Sequence, residues 1–178
     1  MKKPTKGKKT LPKIEIGSYH AGGIVFHIDE TGKHGLVMAP ISGLNSGSVT
    51  FEFYESDLVQ WGAMGVDIAT TDEGRSNTDL ILAATPGIKT AASVCRDLTL
   101  NGFSDWYLPS AYELSCLYEV IEEFDWDEAP WEWDRFFDYW TSSQDYAHHA
   151  CTCRFDQREE FQIDHKDTKY FVLPIREF

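Results

Sequence analysis

Cysteine is scarce in this sequence. The 178 residues include four cysteines, which are Cys95, Cys116, Cys151 and Cys153. Four are too few for a disulfide scaffold in a chain of this length, so we expect an apolar core to hold the fold. No C-x-x-C pair occurs, which excludes a zinc site built from two such pairs.

Long apolar runs are also missing. No stretch approaches the roughly 18 consecutive apolar residues of a membrane-spanning helix, so we expect no membrane insertion. No apolar stretch follows the N-terminal lysines, so we find no secretory signal. The sequence leaves the localisation open between a virion, a cell surface and the cytoplasm.

Basic residues are rare beyond position 13. Residues 1–13 contain six lysines and no acidic residue, whereas the rest has ten basic residues against 29 acidic ones. We predict a basic, flexible tail over 1–13 and a single domain over 14–178. Because the domain is strongly acidic, we expect it to repel nucleic acid and anionic membranes, and we predict neither as a partner.

The folded part begins with a hairpin pattern. Ile24, Phe26 and Ile28 alternate with their neighbours, as strand residues do. Residues 30–33 form a turn signal, and residues 35–39 have the composition of a returning strand. The sequence therefore predicts an N-terminal β-hairpin.

Two or three helices are predicted in the middle of the chain. Ser76 or Asn77 is the expected N-cap of the first helix, which places Leu80 and Ile81 on its apolar face. Ser110 and Glu113 have the spacing of a capping box. The predicted helical spans are 77–84, 90–98 and 111–123.

Strand patterns return in the last third of the chain. The predicted strands span 139–143, 148–155, 160–164 and 170–177. Residues 41–75 are rich in glycine, serine and threonine, so we predict long loops there with one short strand. The order of hairpin, helices and antiparallel strands predicts an α+β fold and not a Rossmann-type βαβ alternation.

Several short stretches together resemble one family. They are 22–26 (GGIVF), 29–32 (DETG), 34–37 (HGLV), 60–62 (QWG), 76–78 (SNT), 102–110 (GFSDWYLPS), 139–143 (YWTSS) and 172–178 (VLPIREF). Their order and spacing over residues 17–178 resemble the C-terminal domain family of the Legionella collagen-like adhesin, a bacterial and phage group with a C-type-lectin-like fold. Cys151 and Cys153 stand where that family has apolar residues, and Leu173 stands where it has an arginine.

The resemblance implies a strand topology and a mode of ligand binding. In C-type-lectin-like folds the first and last strands pair, which would join Ile24–Ile28 to Val172–Phe178. Some members of the family are similar to the variable proteins of diversity-generating retroelements, in which a constant scaffold presents mutable side chains from its last strands and loops. Related folds are often trimeric, so the resemblance leaves a homo-oligomer open.

Most of the family-like residues have structural explanations. Trp106, Leu108 and Trp140 are large apolar side chains that we expect to fill the core. Asp105 is expected to accept backbone N–H bonds in a turn. We therefore predict that most residues of these motifs have a structural role and not a catalytic or ligand-binding one.

Two histidines and two cysteines lie close together between positions 148 and 153. A metal site there would need His149, Cys151, Cys153 and one more ligand, and the sequence contains no second ligand pair. The sulfatase-modifying, formylglycine-generating enzymes share the lectin-like architecture and use cysteines, so a thiol oxidase is the alternative function. The acidic surroundings provide no reason for a lowered thiol pKa. We therefore predict no cofactor, no metal and no enzymatic activity.

The remaining polar and aromatic residues between 145 and 170 are a chemically mixed set. Such a set suits contact with a partner better than catalysis. We predict a surface that binds a protein or glycan receptor, as in a phage receptor-binding protein or a bacterial adhesin. The predicted contact residues are Asp145, Tyr146, His148, His149, Thr152, Arg154, Asp156, Arg158, Asp164, His165, Asp167, Thr168 and Tyr170.

The strand over 148–155 carries a register prediction, because one step of slippage exchanges its two faces. The residues expected in the core are Cys151, Cys153 and Phe155. The residues expected in solvent are His148, Thr152 and Arg154, on the face that they are expected to share with Asp164, His165 and Asp167.

An acidic, tryptophan-rich stretch occupies residues 122–134. It lacks the spacing and the glycine of an EF-hand, so calcium is not predicted. We expect an acidic loop whose tryptophans pack on the body of the domain. An extension of the binding surface or an oligomer contact is the alternative.

Overall fold

The computed structural model describes residues 13–40, 58–121, 138–155 and 160–178. Within these ranges the elements are β1 (Tyr19–His20), β2 (Gly23–Ile28), β3 (Gly35–Met38), β4 (Val59–Gln60), α1 (Gly74–Ala84), α2 (Ala91–Asp97), α3 (Ala111–Val120), β5 (Tyr139–Tyr146), β6 (His149–Arg154), β7 (Glu160–His165), β8 (Lys169–Tyr170) and β9 (Ile175–Glu177). The sheets are antiparallel, in the orders β1-β2-β3-β9, β4-β8 and β5-β6-β7. The predicted α+β class is confirmed.

The first sheet joins the two ends of the fold. The predicted hairpin is present as β2 paired with β3, and β9 is hydrogen-bonded to the other edge of β3, with Val37 opposite Arg176. The N- and C-terminal strands thus share a sheet, as predicted, but the direct partner of β9 is β3 and not Ile24–Ile28. The reason is that β2 already has two neighbours, because β1 pairs along its outer edge.

Helix α1 begins earlier than the sequence predicts. Its N-cap is Glu73, which makes no capping bond through its side chain, so the predicted caps Ser76 and Asn77 are wrong. The Asn77 side chain is instead buried and bonds both backbone groups of Thr71, at 2.8 and 2.7 Å. Leu80, predicted on the apolar face, is exposed.

The other two helices begin at capping boxes. Thr90 and Ser93 cap α2, a pair that the sequence analysis did not identify. Ser110 and Glu113 cap α3 as predicted, with reciprocal bonds of 3.1 and 2.8 Å. The predicted continuation of α3 to position 123 lies outside the described residues.

The interior is built around large aromatic side chains. Trp106, Leu108 and Trp140 are fully buried, as predicted, and so is Trp61. The two central indoles also cross-link segments that are far apart in the chain. Trp61 Nε1 donates to the Thr141 carbonyl at 2.7 Å, and Trp140 Nε1 donates to the Val59 carbonyl at 2.9 Å.

Asp105 has a side-chain partner that the sequence did not predict. Its two carboxylate oxygens accept bonds from the Arg176 guanidinium at 2.7 and 3.0 Å. Arg176 also stacks on the Phe103 ring at 3.9 Å and donates to the Ala21 carbonyl at 2.8 Å. This side chain therefore ties the last strand to two earlier loops.

Some predictions fall outside the described residues. These are the basic tail over 1–12, most of the loop region over 41–57, the acidic stretch 122–134, and the contact residues Asp156 and Arg158. None of the described helices is both long enough and apolar enough to cross a membrane.

Candidate functional site

The predicted contact residues lie mainly on the sheet β5-β6-β7 and on the turns that join its strands. Strands β5 and β6 are joined by a two-residue turn at Ala147 and His148. The start of β5 is held firmly, because the Thr141 hydroxyl donates to the Cys151 carbonyl at 2.9 Å and the Ser143 hydroxyl accepts the Ala111 N–H at 3.0 Å. The YWTSS motif is therefore scaffold that positions this hairpin.

The register of the sheet decides which side chains share a face. His149 lies opposite His165, and Ala150 lies opposite Asp164. Residues that are directly opposite in an antiparallel pair point to the same side of the sheet, and the side alternates along each strand. One face therefore carries the odd-numbered residues of β6 and β7, and the other carries the even-numbered residues.

The odd-numbered face is covered at one end and open at the other. At the covered end, Cys153 is buried with Tyr139 in the apolar cluster that also contains Leu114 and Leu117 of α3. Toward the β5–β6 turn the side chains become accessible. Phe161, which lies opposite Cys153 at the covered end, is accessible as well. We call this accessible part the open face, and it consists of Tyr146, His149, Cys151, Phe161, Ile163 and His165.

The open face exposes three large apolar side chains. Tyr146 is 68% exposed, Ile163 is 55% exposed and Phe161 is 37% exposed. Phe161 also borders a small cleft of about 210 Å³ that it shares with Ser115, Tyr118 and Glu119 on α3. The cleft thus lies between Phe161 on the sheet and one side of α3.

Two imidazoles lie side by side on the open face. The ring centroids of His149 and His165 are 4.3 Å apart, and the ring planes are inclined by 45°. Within the described residues, neither ring takes part in a hydrogen bond or an ion pair. No group of three or more histidine, cysteine, aspartate or glutamate side chains in the described part of the chain could hold a metal ion.

The opposite face is largely internal, which corrects part of the register prediction. Thr152 was expected in solvent but is 1% exposed. It shares its face of the sheet with the buried residues Trp140 and Ala150. The prediction assumed that only one face of the strand is covered, whereas core packs against both faces here. Cys153 and Phe155 are buried as predicted, and Cys151 is half-buried.

Arg154 and Asp164 were expected in solvent but are half-buried and engaged within the protein. Asp164 and His165 are neighbours on β7 and therefore lie on opposite faces, which corrects the predicted shared face. The Arg154 guanidinium binds the Asp138 carboxylate through two bonds of 3.0 and 2.6 Å. Asp164 accepts the Tyr170 hydroxyl at 2.8 Å, and burial together with this carboxylate raises the pKa of Tyr170 to about 12. These three predicted contact residues therefore also fasten the edges of the sheet.

The other predicted contact residues that the structure describes lie near the turns. Asp145, His148, His165 and Asp167 are exposed, while Thr168 is half-buried. Together with Tyr146 and His149, they lie at one end of the sheet.

Lys166 holds this end of the sheet in place, a role that the sequence did not suggest. Its side chain is completely buried, with Nζ donating to the Val66 carbonyl at 2.6 Å and lying 4.4 Å from the centre of the Trp61 ring. Nζ also donates to Gln144. Burial lowers the pKa of Lys166 to about 8. A lysine between His165 and Asp167 has the sequence pattern of an exposed turn, so no local signal indicates its burial.

The four thiols are poorly suited to nucleophilic chemistry. Burial raises the pKa of Cys95, and burial with the nearby carboxylate of Asp138 raises the pKa of Cys153 to about 12. The pKa values of Cys116 and Cys151 are raised by burial and by neighbouring acidic groups. Because the thiolate is the reactive species, raised pKa values disfavour a thiol-based enzyme.

Phe161 and Ile163 are contact candidates that were not predicted from the sequence. Their alternation with Gln162 and Asp164 is the signal that could have identified them, because it places both on the face of His165. Apolar residues in a strand are usually core residues, so their exposure depends on what covers the sheet and not on the strand itself.

A scan against protein-family models finds no family that matches this chain, and a search of curated proteins finds no match.

Proposed function

We propose that this protein is a non-catalytic ligand-binding module that presents the open face and the adjoining turn residues to a protein or glycan receptor. The observation that carries the proposal is the concentration of exposed apolar surface on one sheet. Among the described residues, eight large apolar side chains are exposed, and Tyr146, Phe161 and Ile163 lie together on the open face. Clustered apolar exposure is typical of interaction sites, whereas single exposed residues are ordinary.

The chemistry of the open face suits a contact surface. A tyrosine and two imidazoles provide flat, amphipathic groups that lose little conformational entropy on binding. None of the six residues is a carboxylate, although the whole chain carries a formal net charge of −13. Apolar contact and ring stacking are therefore expected to dominate recognition at this face, with Asp145 and His148 at its margin.

The support behind the open face is rigid. Trp140, Ala150 and Thr152 are fully buried on the other side of the same sheet, and Lys166 secures the adjacent turn. A preorganised face loses less entropy when a partner binds, which favours affinity without a large contact area. The pairing of a firm scaffold with accessible residues near its end is what a display module requires.

The proposal includes a C-type-lectin-like fold and a kinship with retroelement-diversified proteins. The α+β order, the shared sheet of the two chain ends, and the burial of Trp106 and Trp140 support it. The neighbouring DNA tests the second part. We expect a near-copy of the segment that encodes 140–178, with adenines at the divergent positions, beside a reverse-transcriptase gene.

Binding to whole bacterial cells and to a glycan array tests the proposed surface. We expect fluorescently labelled protein to lose binding when Tyr146→Ala or Ile163→Ala is introduced. Tyr112→Ala and Ile88→Ala are matched controls, because these side chains are also exposed but lie on α3 and in the loop before α2. Equal loss in controls and test variants would contradict the open face as the site.

The thiol-oxidase alternative predicts a different result. Cys151→Val with Cys153→Val would abolish oxidation of a thiol peptide if those sulfurs were catalytic. For the binding comparison we use Cys153→Val alone, because Cys151 belongs to the open face whereas Cys153 is buried. We expect this single variant to bind cells as the wild type does.

A further inference from the structure

We propose that His149 and His165 form a binding site for a late first-row transition-metal ion, with Ni²⁺ or Cu²⁺ as the best-matched ions. The two residues lie directly opposite each other on β6 and β7, so the sheet itself sets their separation. Neutral imidazole is a preferred ligand of these ions. The site requires only these two side chains and is independent of the receptor.

The ring separation agrees with shared coordination. A metal–nitrogen bond of about 2.0–2.1 Å places the ion roughly 3.2 Å from the ring centroid. Two rings that bind one ion at about 90° then have centroids roughly 4.5 Å apart, and at a tetrahedral angle roughly 5.2 Å apart. The observed centroid distance of 4.3 Å is closer to the value for a bond angle of about 90°. This is the angle of the tetragonal geometry that Cu²⁺ and Ni²⁺ prefer.

The two imidazoles are free to bind. Neither forms a hydrogen bond or an ion pair with any other described residue, His165 is exposed, and His149 is half-buried. Cys151 lies on the same face as His149, but among the described residues no group of three or more histidine, cysteine, aspartate or glutamate side chains could hold a metal ion. We therefore assign the site to the two histidines alone.

Two protein ligands leave several coordination positions of the ion open. Among the described residues no third histidine, cysteine, aspartate or glutamate joins the pair, so an ion bound there would keep these positions for water. A carboxylate or imidazole of a receptor would replace that water and turn the ion into a bridge. This last step rests on the proposed binding function, whereas metal binding itself does not.

The test is calorimetric titration of the untagged protein with NiCl₂ alone, repeated with CuCl₂, ZnCl₂ and MgCl₂. His149→Asn and His165→Asn remove one ligand each, and His148→Asn is the matched control on the adjacent turn. Loss of an outer-shell partner of a metal ligand typically costs about 10- to 100-fold in affinity. We therefore expect at least about a tenfold loss in each ligand variant, none in the control, and no binding of Mg²⁺.

Nuclear magnetic resonance keeps the test valid if a variant folds poorly. In the wild type, stoichiometric Zn²⁺ should shift the imidazole nitrogen signals of His149 and His165 together and leave those of His148 unchanged. Ni²⁺ affinity that is equal in the wild type and both ligand variants would overturn the proposal, as would equal losses in all three variants. The metal titration uses no receptor, so failure of the proposed function would leave its outcome unaffected.

Discussion

Lys166 is a lysine whose entire side chain lies inside the protein, next to an indole ring and two oxygen acceptors. A buried ammonium group loses hydration, and this loss is why its pKa falls from 10.5 to about 8. The hydrogen bonds to Val66 and Gln144 keep the charged form in place near neutral pH. The residue therefore holds the β7–β8 turn at a cost in free energy that depends on pH.

We predict that the free energy of unfolding rises with pH between about 8 and 10.5, relative to a Lys166→Met variant. In this window the unfolded chain binds the proton of Lys166 more tightly than the folded protein does, so raising the pH favours folding. Over the whole window, the pKa difference between 10.5 and about 8 corresponds to a gain of about 3 kcal/mol in the free energy of unfolding. Urea unfolding of both proteins across this range is the measurement, and a constant difference between them would contradict the prediction.

Thr152 is a second residue whose contribution to stability depends on the groups that surround its side chain. Its hydroxyl is buried and has no hydrogen-bond partner among the described residues. The Thr141 hydroxyl is equally buried but donates to the Cys151 carbonyl at 2.9 Å.

We expect Thr152→Val to leave the free energy of unfolding unchanged or to raise it by up to about 1 kcal/mol, because it removes an unsatisfied polar group. Thr141→Val should lower it by about 1 kcal/mol, because it breaks the hydrogen bond to the Cys151 carbonyl and removes the acceptor of the Ser143 N–H. Denaturant midpoints measured side by side compare the two. Similar losses in both variants would show that the Thr152 hydroxyl is satisfied.

Among the elements, the junction of α1 and α3 depends on one carboxylate. Glu113 completes the capping box of α3 and also accepts the N–H of Gly74, the first residue of α1, at 3.1 Å. Its other oxygen accepts the Tyr107 hydroxyl at 3.0 Å. This cross-helix bond explains why α1 begins at a position with no capping side chain of its own.

Glu113→Ala should lower the free energy of unfolding by about 2–4 kcal/mol. The change removes a helix cap, at about 1 kcal/mol, and leaves buried N–H and O–H donors unpaired, at about 1–3 kcal/mol. Glu119→Ala is the control, because Glu119 is an exposed residue of the same helix and its loss should change little. Thermal unfolding by circular dichroism measures both, and a small effect at position 113 would show that water replaces the carboxylate.

For the molecule as a whole, the closure of the first sheet joins the chain ends. Arg176 on β9 reaches Asp105, the Phe103 ring and the Ala21 carbonyl. The guanidinium holds the pKa of Asp105 below its usual range. These contacts link the C-terminal strand to segments more than 70 residues away.

Arg176→Lys should lower the free energy of unfolding by about 1–2 kcal/mol, because an ammonium cannot form the two-bond pair or stack on the ring. The lower end is expected, since the Asp105 side chain is 42% exposed and solvent screens the pair. The wild type loses this contribution as the pH falls below about 4, so its advantage over the variant should shrink there. Urea unfolding at pH 7 and pH 3 measures the difference in free energy of unfolding between the wild type and the variant. An equal difference at both pH values would show that the Arg176–Asp105 pair is not its source.

Local patterns in the sequence were enough to predict the elements that are stabilised by contacts between residues close together in the chain. The hairpin, the Ser110–Glu113 capping box, the burial of Trp106 and Trp140 and the α+β order were all predictable, because alternation and capping depend on near neighbours. The position of the candidate surface between 145 and 170 stays a prediction. Its residues between 145 and 170 lack both a core pattern and a catalytic one.

Only the tertiary structure decided which of those residues reach solvent. Thr152 is internal because core packs on both sides of β6, and Lys166 is buried where its side chain contacts the Trp61 ring and the Val66 carbonyl. Phe161, Ile163 and the His149–His165 pair become a shared surface through the pairing of β6 with β7. Strand register and coverage depend on contacts between distant segments, and these contacts are absent from any local stretch of sequence.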